Sequence, residues 1–346
     1  MADTAVSSSP AVAAAQAAPV ASGTLLGAIT GRLVIVVPYL WLLVFFLVPF
    51  AIVFKISLSQ TAIAMPPYTP VFTGMSDFAG KIGDFTADNY RILYCDFAGL
   101  VGLSGARAYC ESFALDVFFD SPYIAPAYVS SIWIAGISTF LALLIAYPIA
   151  YGMARAPASI RPTLLMLVIL PFWTSFLIRV YAWIGILKPE GLLNQVLLAT
   201  GIIDTPLVIL NTHTAIFIGI VYSYLPFMVL PLYSSLEKMD YSLIDAAQDL
   251  GCPPISAFWK ITFPLSLPGV VAGCMLVFIP AVGEFVIPDL LGGSETLMIG
   301  KTLWNEFNAN RDWPVSSAVA VILLLILIVP IMIFQNAQAR AQEQGR

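Results

Sequence analysis

The chain has 346 residues, of which 60% are hydrophobic and only 10% are charged, and its mean hydropathy is +0.91. Soluble domains carry about 25% charged residues, so this composition excludes an ordinary soluble protein and indicates a polytopic membrane protein. The formal net charge is −5, and a nucleic-acid partner is therefore not expected.

The first residues of the chain, 1–31, are rich in Ala, Ser, Val and Gly and lack the basic start of a secretory signal. They predict a disordered cytoplasmic tail. The apolar run that follows, within 32–58, is then the first transmembrane helix and serves as an uncleaved anchor.

A helix that crosses a bilayer needs about 20 mostly apolar residues. Six segments meet this requirement and predict an all-α membrane protein: 33–58, 126–153, 161–187, 211–236, 267–291 and 313–336. The core transmembrane domain is therefore expected over 126–336, with five helices, and a short cytoplasmic tail is expected over 337–346.

Basic residues predict the orientation of these spans. They gather in the tails and short loops of one side, most tightly between Arg155 and Arg161. Positive charge in short loops is typical of the cytoplasmic side, so both termini are predicted to be cytoplasmic.

A long insert, 59–125, is then predicted on the opposite, periplasmic side. It contains Cys95 and Cys110, which would face an oxidising compartment, where a disulfide could hold the insert together. Two free thiols are the alternative.

A polar loop, 237–266, separates the fourth and fifth predicted spans. Ser242 and Asp245 have the spacing of a capping box and predict the start of a helix. Gly251 can adopt the left-handed conformation that ends a helix, and Pro254 can open a second helix. Two short helices on the cytoplasmic side form a surface suited to receiving force from a soluble partner.

The polar loop also carries a recognisable pattern, made of Asp245, Ala246, Ala247, Gly251, Ile261 and Pro264. Their spacing resembles the EAA loop of ABC-importer permeases, which reads E-A-A, three residues, G, nine residues and I-x-L-P. This sequence departs from it at Asp245, which replaces Glu, and at Phe263, which replaces Leu. The resemblance implies that a separate ATPase docks here; the alternative is an amphipathic surface helix pair with no partner.

Further blocks, including 171–183, 282–293 and 310–315, resemble the polyamine branch of these MetI-like permeases and most closely its putrescine-type subunit. The resemblance implies a six-transmembrane-helix type I importer fold in the bacterial inner membrane. It implies a heterodimer with a second homologous permease, two copies of a cytoplasmic ABC ATPase and a periplasmic polyamine-binding protein. It also implies no cofactor on this chain, because ATP and magnesium bind to the ATPase.

Charge inside the membrane is costly unless it faces a cavity or a partner. Glu284 lies in the fifth predicted span, where prolines and a glycine loosen the helix, and Asp289 follows a little over one turn later. Two carboxylates on a broken helix suit an organic cation. The alternative is a buried Glu284 paired with Arg179 of the third span.

Aromatic side chains extend this predicted substrate pathway. Six rings could present their faces to an ammonium group: Phe172, Trp173, Tyr181 and Trp183 on the third span, and Tyr222 and Tyr224 on the fourth. Trp and Tyr also gather at membrane interfaces for reasons unrelated to a solute, which is the alternative for each ring.

The sequence contains no enzyme signature and no metal-ligand cluster, and His213 has no carboxylate or cysteine at ligand spacing. The predicted function is therefore that of a permease subunit in an ATP-driven importer of small cations, with putrescine the first candidate among polyamines. Two alternatives stay open: a permease of the same fold for an amino acid or an anion, and a secondary transporter.

Overall fold

The computed structural model describes residues 36–72, 81–294 and 296–344, and the predicted tail 1–31 lies outside them. Helices make up most of the described chain, as the sequence predicts. They are α1 Val36–Ser57, α2 Asp88–Val101, α3 Ser104–Ser112, α4 Asp116–Asp120, α5 Ile124–Arg155, α6 Arg161–Ile169, α7 Phe176–Leu187, α8 Leu192–Ala199, α9 His213–Glu237, α10 Ser242–Asp249, α11 Pro254–Val282, α12 Val286–Leu290, α13 Ile299–Asn308 and α14 Trp313–Gln344.

Two short strands interrupt the helices after α1. β1, Gln60–Thr61, pairs antiparallel with β2, Tyr68–Thr69. Internal contacts divide the chain into two units, Met1–Val53 and Phe54–Arg346. Of the first unit, the described part is the start of α1.

The described residues contain five helical stretches that are long and apolar enough to cross a membrane, and a bent helix pair that raises this number to six if the pair is one span. The five are Val36–Ser57, Asp116–Arg155, His213–Glu237, Pro254–Val282 and Trp313–Ile333. The bent pair falls where the third span is predicted.

The third predicted span, 161–187, is not one straight helix. The stretches Arg161–Trp173 and Phe176–Ala199 meet at 87°. Thr174 and Ser175 between them are extended, with ψ of 153° and 137°, so the helical hydrogen-bond ladder stops there. Hydropathy predicts a crossing but carries no information about this bend.

The fifth span differs from its predicted limits of 267–291 at both ends. α11 begins at Pro254, inside the polar loop, and a π turn at Phe258–Thr262 carries it on into the membrane segment. It ends at Val282, because Gly283 leaves the helical path, and the short helix α12 follows. In the last span, α14 continues to Gln344 through most of the predicted tail 337–346.

Helix α9 packs against both α5 and α11. Two glycines of α11 allow its backbone to approach α9 closely. A Cβ at Gly269 would lie 2.5 Å from the Cβ of Ser235, and one at Gly273 would lie 2.7 Å from the Sδ of Met228. Small residues at such crossings are typical of helix packing in membranes.

The predicted insert is tied to the span that follows it. Cys95 on α2 and Cys110 on α3 form a disulfide, with their Cα atoms 5.9 Å apart. The neighbouring carboxylate of Asp96 is buried and accepts hydrogen bonds from the amides at the start of α5: Tyr123 at 2.9 Å, Ile124 at 3.2 Å and Ala125 at 2.6 Å. Asp96 thus caps a helix that begins 28 residues later in the chain.

Candidate coupling loop and solute site

The polar loop folds as two helical pieces around a left-handed glycine. Gly251 has a φ of +82°, a conformation that favours glycine because it lacks a Cβ. The Gly251 amide donates to the Gln248 carbonyl at 2.8 Å, and the Cys252 amide donates to the Ala247 carbonyl at 2.9 Å. These bonds close the end of α10, and Pro254 opens α11 as the sequence predicts.

The start of α10 is held differently from the predicted capping box. No side-chain cap comes from Ser242; instead, the Ser242 amide donates to the Asp240 carboxylate at 3.0 Å. Hydrogen bonds from the hydroxyl and the amide of Ser242 lower the pKa of Asp240. The predicted pairing of Ser242 with Asp245 is therefore wrong, because an acid two residues before the helix already satisfies the amide.

The polar loop exposes short side chains on α10 and large apolar side chains near the turn. Asp245 and Ala246 on α10 are exposed, Ala247 is half-buried, Ile261 is half-buried and Pro264 is exposed. Three large apolar side chains near the turn are also exposed: Leu250 at 89%, Ile255 at 76% and Trp259 at 59%. Sequence reasoning missed these three, although apolar residues in an otherwise polar loop are the signal for them.

The two halves of the polar loop both contact the end of α5. The guanidinium of Arg155 lies 4.9 Å from the centre of the Tyr151 ring and 5.0 Å from that of Tyr241, just before α10. From the other half, Phe258 meets the ring of Tyr147 edge to face at 5.5 Å. The end of α5 is therefore held between the two halves, and we call this contact the α5 clasp (Tyr147, Tyr151, Arg155, Tyr241 and Phe258).

Glu284 lies at the break after α11, where the sequence predicts a helix loosened by prolines and a glycine. Its side chain is buried, and one carboxylate oxygen accepts a hydrogen bond from the Tyr224 hydroxyl of α9. The other oxygen accepts from the amides of Val286 at 3.0 Å and Ile287 at 3.4 Å, and so caps α12. The alternative pairing with Arg179 is not formed: the Nε and Nη1 atoms of Arg179 have no hydrogen-bond partner among the described residues.

A glycine of helix α13 lies in close contact with the backbone at this break. Gly300, in the first turn of α13, lies so close that a Cβ would be 2.4 Å from the Gly283 carbonyl oxygen and 2.6 Å from that of Glu284. The same turn brings Lys301 within 3.6 Å of Asp289, whose side chain is half exposed. Asp289 therefore has a cationic neighbour from its own chain.

Of the predicted aromatic residues, Tyr224 reaches Glu284, whereas Trp173, Tyr181 and Tyr222 have other surroundings. Trp173 is 70% exposed and Tyr181 is 58% exposed, while Tyr222 meets Trp183 edge to face at 5.3 Å. The ring that does reach the carboxylate is that of Tyr224. The sequence predicts Tyr222 and Tyr224 alike, because it does not show which side of the fourth span faces Glu284.

A row of rings connects the two broken spans. The Tyr224 ring lies 6.1 Å from that of Phe227, and Phe227 lies 5.2 Å from Phe172 in the turn before α7. Phe172 in turn lies 5.1 Å from the guanidinium carbon of Arg179. The breaks in the third and fifth spans thus flank one aromatic cluster, with Glu284 at one side and Arg179 at the other.

Within the described residues, no group of three or more His, Cys, Asp or Glu side chains could hold a metal ion. What the structure offers is a helical membrane bundle with two broken spans, a buried carboxylate at one break and a two-part loop that contacts the end of α5. These features define the membrane-spanning subunit of a solute transporter. The chain belongs to the family described as binding-protein-dependent transport system inner membrane component, whose model matches residues 98–344.

Relatives within this family have named solutes. The chain is 44% identical over 216 residues to the spermidine/putrescine transport system permease protein PotB of Haemophilus influenzae, covering 61% of this chain and 76% of that protein. It is 44% identical over 207 residues to PotB of Escherichia coli K12, covering 60% and 75%. It is also 31% identical over 219 residues to the molybdenum transport system permease protein ModB of Mycobacterium bovis, covering 62% and 78%.

Solved structures share the fold. A bacterial ABC transporter involved in the import of the acidic polysaccharide alginate matches with a TM-score of 0.58 at 13% identity, over 92% of this chain and 99% of that chain. The alginate transporter in complex with an alginate pentasaccharide-bound periplasmic protein matches with a TM-score of 0.53 at 16% identity, over 70% and 88%. The chain is a multi-pass permease of the ABC-importer fold and is not an enzyme.

Proposed function

We propose that this chain is the permease subunit of an ATP-driven importer of polyamines, with putrescine and spermidine as the first candidates. The observation that carries the proposal is the 44% identity to the spermidine/putrescine permease of Haemophilus influenzae over most of that protein. Neither polyamine is favoured over the other by this similarity.

The geometry at Glu284 supports a cationic solute. A carboxylate at a helix break in the membrane is a site where an ammonium group gains a partner. Tyr224 shares this carboxylate, so its ring and hydroxyl stand beside any cation that reaches Glu284. Asp289 is a weaker candidate because Lys301 already lies within 3.6 Å of it.

Energy for transport would come from a separate ATPase, two copies of which dock on the assembled permease pair through the polar loops. On this chain, the docking surface would be the exposed residues Asp245 and Ala246 together with Leu250, Ile255 and Trp259. ATP and magnesium would bind to that ATPase, and this chain would hold no cofactor. The family's dependence on a binding protein supports a periplasmic partner that delivers the solute.

The assembly proposed here pairs this chain with a second, homologous permease in the bacterial inner membrane. Both termini and the polar loop would be cytoplasmic, because Arg155 and Arg161 lie in a short basic loop at that end of the bundle. The segment 59–125 would be periplasmic, a compartment that permits the Cys95–Cys110 disulfide.

A second candidate function is import of an oxyanion by the same fold. The 31% identity to a molybdenum permease favours it, and so does the buried guanidinium of Arg179 near the same aromatic cluster. The polyamine proposal ranks first because the identity to the polyamine permeases is higher and a carboxylate, not a cation, lies at the break of the fifth span.

The deciding experiment measures uptake of labelled putrescine, spermidine and molybdate into cells that express the full set of transporter subunits. Four arms are compared: the wild-type chain, no chain, an ATPase-dead partner and Glu284→Gln. Polyamine uptake that requires the chain and ATP hydrolysis, and that falls with Glu284→Gln, is the expected result. Chain-dependent molybdate uptake without polyamine uptake would overturn it.

A further inference from the structure

Arg179 carries a charge that no described residue of its own chain neutralises. Its side chain is buried, with 9% of its surface exposed, and its Nε and Nη1 atoms have no hydrogen-bond partner. Two rings lie beside it: the guanidinium carbon is 5.1 Å from the centre of the Phe172 ring and 5.8 Å from that of Phe176. Ring faces stabilise a cation but do not accept its N–H groups in full hydrogen bonds.

The position of Arg179 places this charge inside the membrane. It is the one charged residue in the apolar sequence from Thr163 to Leu187, which the bent pair α6–α7 occupies. An unpaired guanidinium in such surroundings is strongly unfavourable, and intramembrane charges are normally paired with one another or face a polar cavity. Something outside the described chain therefore has to accept these N–H groups.

The acids of the described residues near the membrane are already engaged. The carboxylate of Glu284 is held by Tyr224 and by two amides of α12. Asp289 pairs with Lys301 at 3.6 Å, and Glu237 pairs with Arg161 at 3.4 Å. None of the three contacts Arg179.

Large side chains on and just before α7, the helix that carries Arg179, are exposed in this chain. Ile178 is 67% exposed and Tyr181 is 58% exposed on α7, and Trp173, just before this helix, is 70% exposed. A span of another protein packed on this flank could bring a side chain to the guanidinium. A lipid phosphate lies at headgroup level, away from the middle of an apolar span, and a cationic solute is repelled by Arg179.

We propose that Arg179 forms an ion pair with a carboxylate on a membrane span of the second permease chain, and that this pair fixes how the two permeases associate. The inference rests on the paired-permease assembly described under the proposed function. A planar guanidinium presents two parallel N–H groups to a carboxylate, so the pair specifies orientation as well as attraction. Each chain alone then holds an unmatched charge, which disfavours incorrect pairing.

The first test separates assembly from folding. Arg179→Met and Arg179→Lys are introduced into the tagged chain, the complete complex is expressed, and the second permease recovered with the tag is measured. Arg179→Met is expected to lower that recovery at least tenfold, and Arg179→Lys to lower it less. Arg107→Met is the matched control, because Arg107 is an exposed arginine paired with Glu111 and Asp120 of its own chain.

The melting temperature of the separately expressed chain distinguishes the proposed role of Arg179 from a purely structural one. The two roles predict opposite changes in this temperature. Removing an unmatched buried charge is expected to raise the melting temperature of the single chain, even as it weakens the complex. A fall in melting temperature with Arg179→Met would show that the arginine supports its own chain, and it would overturn the proposal.

The partner acid is identified by charge reversal. Arg179→Glu is expected to abolish recovery of the second permease, and one Asp→Lys or Glu→Lys change within a span of that permease is expected to restore it. Failure of every such reversal, or unchanged recovery with Arg179→Met, would overturn the proposal. Recovery is measured without solute, so the result does not depend on which solute is transported.

Discussion

The guanidinium group of Arg155, in the last turn of α5, lies 5.0 Å from the centre of the Tyr241 ring at the entrance to α10. This contact joins a transmembrane helix to the first half of the polar loop without a covalent connection nearby. The Tyr151 ring, in α5 itself, lies 4.9 Å from the same guanidinium. We therefore expect this contact to help couple movements of α10 to the end of α5.

Breaking the α5 clasp should reduce transport per ATP hydrolysed. A cation–π contact at an exposed site is worth about 0.5–1 kcal/mol, and one such contact joins Arg155 to the polar loop, so Arg155→Gln should lower the ratio about two- to fivefold. Tyr241→Leu should have a similar effect. Solute uptake and ATP hydrolysis are measured together in proteoliposomes.

The matched control for that experiment is Tyr241→Phe, which keeps the ring and removes the hydroxyl that donates to the Leu236 carbonyl at 3.1 Å. It should keep a ratio close to that of the wild type. If Arg155→Gln hydrolyses and transports at the wild-type ratio, the clasp has no part in coupling.

Gly251→Pro should separate the ATPase from the permease. Proline requires a φ near −65° and has no amide hydrogen, whereas Gly251 has a φ of +82° and donates to Gln248. The turn between α10 and α11 would open, and co-purification of the ATPase should be lost. Gly201→Pro is the control, because Gly201 also has a positive φ, of +69°, but follows α8, outside the polar loop. Normal co-purification with Gly251→Pro would contradict the docking surface.

Glu284→Gln should slow uptake of a cationic solute while the complex stays assembled. A hydrogen bond to a charged group is worth about 1.5–3 kcal/mol, so loss of the charge predicts a decrease of about tenfold or more. Tyr224→Phe removes the shared donor and keeps the carboxylate, so it should impair uptake less. Equal uptake by Glu284→Gln and the wild type would remove the carboxylate from the solute path.

Gly300→Ala should disturb the break that holds Glu284. The added Cβ would lie 2.4 Å from the Gly283 carbonyl oxygen, so α13 or the break must shift. We expect slower uptake and a lower melting temperature. Gly136→Ala in α5 is the control, since a Cβ there would meet no other atom within 4 Å. The interpretation fails if the two alanine variants behave alike.

Loss of the Cys95–Cys110 disulfide should destabilise the segment that caps α5. The bridge closes a loop with a sequence separation of 15. For a loop of that length, the chain-entropy model gives a stabilisation of about 3 kcal/mol. The double variant Cys95→Ser, Cys110→Ser should therefore melt at a lower temperature than the wild type, and reductant should lower the melting temperature of the wild type alone. Cys252→Ser, at a free thiol, should change neither.

Local chemistry predicted the parts of the structure that depend on neighbouring residues. Gly251 ends a helix because its own backbone permits a positive φ, and Pro254 opens one because it lacks an amide hydrogen. The crossings were predicted because about 20 apolar residues suffice for each. The bend at Thr174 and Ser175 was not, since hydropathy is the same on both sides of it.

Contacts between residues far apart in the chain could not be predicted from the sequence. Asp96 caps a helix that begins in another element, and no spacing rule connects it with Tyr123. The sequence placed Glu284 and Arg179 in spans where they could meet, but Tyr224 and the amides of α12 occupy the carboxylate instead. The partner of an intramembrane charge depends on how the helices pack, and local sequence patterns do not predict that packing.

The continuity of α11 has a mechanical consequence. At 1.5 Å per residue, a helix of 29 residues from Pro254 to Val282 is a rod about 43 Å long. One end lies in the polar loop beside Trp259, and the other stops two residues before Glu284. A tilt of about 10° at the first end would swing the second by about 7 Å, which exceeds the reach of any hydrogen bond there. A push on the polar loop would thus be carried along α11 towards the break that holds Glu284.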